Sequence, residues 1–141
     1  MDKYPNDVKV VFKSFYLASM HKQAKKAGMY ALAAKRQGKF KEMFMALFDE
    51  DNTWRQLKKN EDLPLLLAAE IGIDVGLLKE AMKDPALQAE IEWEYNQLKS
   101  LGGSYETEEH KGVRLAVPKF FINGREPVRP NLASMIEIIE E

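Results

Sequence analysis

Val117-Pro118-Lys119-Phe120-Phe121-Ile122-Asn123-Gly124 is the stretch that decides how this chain is read. The aromatic and β-branched residues after Pro118 predict a strand, and Asn123-Gly124 predicts a two-residue hairpin turn, whose central positions need positive φ. Glu126 to Arg129 is expected as a short return strand; Pro127 has no amide proton, which confines that strand to a sheet edge. Pro130-Asn131 then opens a final helix carrying Leu132, Met135, Ile136 and Ile139 on one face.

At the other end, Lys9-Val10-Val11-Phe12-Lys13-Ser14-Phe15 is short, β-branched and aromatic. Val8, Val10 and Phe12 share one face while Val11 and Phe15 populate the other, which predicts a strand covered on both sides. Ser19 is expected to cap a helix from Met20 to Gln37, in which Ala24, Ala27, Ala31 and Ala34 permit close packing against a sheet. Phe40, Met43, Phe44, Leu47 and Phe48 form a second apolar stripe, read as core. Trp54, Leu57 and Lys58 suggest a short helix. Asp62 and Asp74 are expected to cap helices over 63–71 and 75–83. Asp84-Pro85 starts another that runs to Leu101, ahead of Gly102-Gly103. Ser104 to Lys111 reads as a polar loop.

The expected fold is therefore α/β in a single domain of 141 residues. Its order is a strand region over 4–17, a helical block over 18–103, then a β-hairpin and C-terminal helix over 112–141.

The composition restricts the chemistry. The chain has no cysteine, so it supplies no disulfide, thiolate ligand or cysteine nucleophile. His21 and His110 are too few for a metal site, and neither a phosphate-binding glycine loop nor a nucleophile elbow is present. No metal or cofactor is expected, and no catalytic residue is assigned. Glu90, Glu92 and Glu94 lie at spacings that turn Glu92 away from the other two, which favours a solvated face over paired catalytic carboxylates. No apolar run is long enough to span a bilayer. The polar start Met1-Asp2-Lys3-Tyr4-Pro5 lacks a signal peptide's apolar stretch, so the chain as written is expected in the cytoplasm.

Net charge is −1, but it is unevenly spread. Residues 1–41 hold ten Lys/Arg against Asp2 and Asp7, and the remainder is acidic. Such asymmetry marks either a polyanion-binding face or two ends of one domain that attract each other; the second is the expectation. Nucleic-acid binding through Lys22, Lys25, Lys26, Lys35, Arg36, Lys39 and Lys41 is the weaker alternative.

The 117–124 segment resembles the proline-led Phe-Phe-Ile-Asn-Gly segment of DsbA-like proteins of the thioredoxin fold, which are thiol:disulfide oxidoreductases. Val10 to Leu17 followed by His21, the Ala-rich helix, Gly38-Lys39-Phe40 and Ala68 to Asp74 are similar to that family as well. Tyr16 departs from it, standing where a proline is usual. The resemblance covers residues 4–141 and implies an incomplete thioredoxin-like fold with a helical insertion. It also implies that a strand–helix unit of roughly 30 residues carrying the family's Cys-x-x-Cys is missing ahead of Tyr4. The active-site serine of the family's glutathione-using isomerases would lie in the same unit. The chain is accordingly expected to be redox-inactive by itself, either a fragment of a longer oxidoreductase or a non-catalytic peptide-binding or scaffold protein.

The resemblance further implies a cis Val117–Pro118 bond. That geometry costs only about 0.5–1 kcal/mol relative to trans. Val117 and Pro118 then become the substrate-binding residues, pairing with an extended peptide through the backbone. Loss of a central strand would leave buried polar groups unpaired at about 1–3 kcal/mol each, so a homodimer completing the sheet or core is expected. Members of the family are mostly extracytoplasmic.

Overall fold

In the computed structural model, residues 3–17, 20–49, 51, 53–104 and 117–141 are described. The chain divides into two compact units, Met1–Leu98 and Lys99–Glu141.

The first unit is built from helices. α1 (Ala24–Lys35) is followed by α2 (Phe40–Leu47), a 3-10 turn over Thr53–Lys58, α3 (Leu63–Glu70), α4 (Val75–Lys83) and α5 (Pro85–Ser104), of which this unit holds the part up to Leu98. α1 is central and packs against α2, α3, α4 and the 3-10 turn. Ala27, Ala31, Ala33 and Ala34 are buried along it, and their small side chains bring the neighbouring helices close. Met43, Leu47, Leu57, Leu78, Leu87 and Ile91 are fully buried around it. Each such side chain stabilises the fold by about 1.5–3 kcal/mol when removed from water.

Local chemistry sets the helix ends. Asp74 accepts the Leu77 amide at 2.9 Å, and the Asp84 carboxylate accepts the Ala86 amide at 2.8 Å. Asp62, expected as a cap, makes no side-chain cap bond, and the chain enters α3 with Pro64 in its first turn. Gly38 and Gly72 take φ of 70° and 75° after α1 and α3, a left-handed position that glycine adopts without steric cost. α1 starts at Ala24 rather than Met20, and α5 runs on through Gly102-Gly103. The expected cap Ser19 and most of the loop expected over 104–111 lie outside the described residues.

The α/β expectation is corrected here: the described residues are helical and contain no sheet. Residues 8–17 are not a strand. A strand needs a neighbour about 4.8 Å away to take its amides and carbonyls, and none is present among the described residues. Side chains anchor the segment instead. Phe12 lies 5.8 Å from the Phe40 ring and 5.1 Å from that of Phe44. Phe15 and Tyr16 stack on Tyr95 at 4.7 and 4.5 Å. The alanine face of α1 accordingly packs on helices and not on a sheet.

The hairpin expectation is corrected too, to one bridge in the second unit. Ile122 and Arg125 exchange both backbone hydrogen bonds, at 2.8 and 2.9 Å. Asn123 and Gly124 both take positive φ, 49° and 81°, as the turn requires. The ladder stops there for a chemical reason. In this register the next hydrogen-bonded pair would be Phe120 with Pro127, and proline has no N–H to donate. α6 (Leu132–Glu140) follows, with Asn131 accepting the Ser134 amide at 2.9 Å.

The charge asymmetry resolves into contacts within the first unit. Lys13 pairs with Glu94, Lys25 with Glu92, Lys35 with Glu90 and Arg36 with Asp84, at 3.4, 2.9, 2.7 and 2.8 Å. Glu92 and Glu90 hold Lys25 and Lys35 above the usual lysine value, mainly through these hydrogen bonds. The basic end and the acidic end are thus bound to each other. The three pairs at the surface are screened by solvent and each contributes little to stability.

Candidate peptide-binding site

The Val117–Pro118 peptide bond is cis. Val117 is half-buried, Pro118 is exposed, and Phe120 and Phe121 are 37% and 44% exposed. Val117 and Phe121 make no backbone–backbone hydrogen bond among the described residues. Beside Pro118 is a pocket of about 200 Å³ walled by Pro118, Phe120, Pro127, Val128 and Pro130. Lys119 and Glu126 line it as an ion pair at 2.6 Å. Pro127 has two effects: lacking an N–H it ends the ladder, and, buried, it forms one wall of the pocket.

Lys119 and Glu126 are diagonal neighbours in the register set by Asn123-Gly124, on one face of the hairpin. Spacing along the chain does not single out this pair; the signal that does is the register of the Asn123-Gly124 turn. Arg125 also pairs with the Glu141 carboxylate, which ties the turn to the end of α6.

The other sequence candidates are not brought together as a catalytic constellation. His21 sits edge-on to Trp54, ring centroids 5.2 Å apart, and His110 lies outside the described residues. Among the described residues no three His, Asp or Glu side chains converge as metal ligands, and no helix is long and apolar enough to cross a membrane. Glu90 and Glu92 face lysines at the surface, as expected of a solvated face, but Glu94 is buried. Of the basic residues proposed for nucleic acid, Lys25, Lys35, Arg36 and Lys39 are already paired with carboxylates.

The chain belongs to the thioredoxin family, whose model matches residues 2–141. No curated protein and no solved structure matches it.

Proposed function

We propose that this chain is a DsbA-like member of the thioredoxin family that binds extended peptides at Val117 and Pro118 and performs no thiol–disulfide exchange by itself. The observation that carries the proposal is the apolar pocket beside Pro118, next to backbone at Val117 and Phe121 that makes no backbone–backbone hydrogen bond among the described residues. An extended peptide would take backbone hydrogen bonds from this edge and place one apolar side chain in the pocket. Disulfide exchange needs a thiolate to attack sulfur, and this polypeptide has none.

Calorimetric titration with a set of extended, Pro-free hydrophobic peptides tests the reading. Binding that is lost in Val117→Pro, with no reduction of insulin disulfides in the presence of glutathione, supports it. Absence of peptide binding overturns it, as does insulin reduction above the glutathione background.

A second copy of the chain is the partner we propose for residues 9–13. Val10, Val11 and Phe12 are 47%, 63% and 53% exposed, and this stretch makes no backbone hydrogen bonds among the described residues. Antiparallel pairing of Val10 with the other copy's Val11 also sets each Lys9 opposite a Phe12, which avoids a like-charge pair. Sedimentation velocity should show a dimer that Val11→Lys converts to monomer; a monomer at high protein concentration removes the proposal.

A further inference from the structure

In the first unit, the segment entering α1 and the 3-10 turn enclose an open pocket of about 270 Å³. Its described lining is Met20, His21, Lys22, Gln23, Trp54, Arg55 and Lys58. Three of these are cations and none is an acid. Elsewhere in this unit Lys13, Lys25, Lys35, Arg36, Lys39 and Lys83 pair with carboxylates, whereas Lys22, Arg55 and Lys58, which share this pocket, make no ion pair with a carboxylate among the described residues. Asp49, an acid close in sequence to the turn, is committed to Thr53. It accepts the Thr53 amide at 2.8 Å and the hydroxyl at 2.6 Å.

Trp54 organises the pocket. It is buried, the Arg55 guanidinium lies over its ring at 5.3 Å, and His21 meets it edge-on. The guanidinium is therefore held at the pocket by the ring instead of waving in solvent, and its planar fork matches a tetrahedral oxyanion. The α1 N-terminus adjoins the same pocket, and its cap residue Gln23 makes no side-chain cap bond. The Ala24 amide is taken by the His21 carbonyl at 3.0 Å, so what the helix adds here is the positive end of its dipole.

We infer that this pocket binds a small phosphate-bearing anion of at least two negative charges, held by Lys22, Arg55 and Lys58 over the Trp54 floor. A diphosphate, free or attached to an organic group, suits the charge of three converging cations. The inference is independent of the peptide site.

The test uses the full chain with Trp93→Phe, which leaves Trp54 as its single tryptophan. Inorganic pyrophosphate and adenosine diphosphate are titrated at low ionic strength while Trp54 emission is followed. Both are expected to bind; equal affinities mean that the diphosphate alone is read, and tighter adenosine diphosphate means that the organic group is read too. The double variant Arg55→Gln, Lys58→Gln should weaken binding at least tenfold. Both side chains are exposed, and a melting curve confirms that the variant folds. Lys79→Gln, away from the pocket, should change nothing. The inference is overturned if neither diphosphate binds, if the double variant binds as tightly as the parent, or if only long RNA binds.

Discussion

The buried carboxylate of Glu94 accepts a hydrogen bond from the backbone amide of Ser14 at 2.8 Å, across 80 residues of sequence. Lys13 adds an ion pair to the same carboxylate at 3.4 Å. This contact holds the segment before α1 against α5, where a partner strand would otherwise have taken the amide.

Removing the acceptor should therefore loosen that segment. Glu94→Ala leaves the Ser14 amide without its partner and is expected to cost about 1–3 kcal/mol. Glu94→Gln keeps an oxygen for the amide and should cost less. Urea unfolding gives the two values, and hydrogen exchange at Ser14 should accelerate in Glu94→Ala. Equal stability of all three chains would show that the contact holds nothing.

Gly28 on α1 marks a second close approach. A Cβ there would sit 3.1 Å from Ile91 Cδ1, and Ile91 is fully buried. Alanine gains up to about 1 kcal/mol in helix propensity over glycine, which offsets the crowding, so Gly28→Ala should lie within about 1 kcal/mol of the parent. Gly28→Val has no room to shift and should lose about 1–3 kcal/mol from overpacking. Ile91→Val should relieve part of that loss in a double-mutant cycle.

Acid should destabilise the chain through identifiable carboxylates. The Ala86 amide first, and then Arg36, hold Asp84 below its ordinary value. Thr53 does the same for Asp49 through its hydroxyl and amide. A depressed folded-state value contributes stability that is present above the unfolded value and lost as pH falls through the folded one. Below about pH 4, the ordinary aspartate value, stability should therefore decline. Asp84→Asn keeps an oxygen for the Ala86 amide but loses the charge. It should be less stable than the parent at neutral pH and converge with it in acid, as measured by melting temperature against pH.

At the peptide site, Val128 is 93% exposed and lines the pocket beside Pro118. Val128→Asp puts a charge where an apolar side chain would enter. Peptide affinity should fall at least tenfold, about 1.4 kcal/mol, while the melting temperature stays unchanged. Undiminished affinity would place the peptide elsewhere.

Much of the molecule is legible in the order of its residues, because the interactions concerned are local. Asp74 and Asn131 cap the helices they precede, Asp84-Pro85 opens α5, and Asn123-Gly124 makes its turn, each within a few residues along the chain. The apolar stripe on α2 also follows from helical periodicity alone. Strand formation is different, since a strand's hydrogen bonds belong to whatever lies beside it. Val10, Val11 and Phe12 have the composition of a strand, but with no neighbouring ladder among the described residues the segment is held by the rings of Phe12, Phe15 and Tyr16 and by Glu94. The single bridge at Ile122 is a related case: the turn is local, and Pro127 denies it a second rung. Sequence spacing grouped Glu90, Glu92 and Glu94 on one helix, but only the tertiary structure buries Glu94 and leaves Glu90 and Glu92 at the surface facing lysines. It is likewise the packing of Trp54 between His21 and Arg55 that gathers distant cations into one pocket.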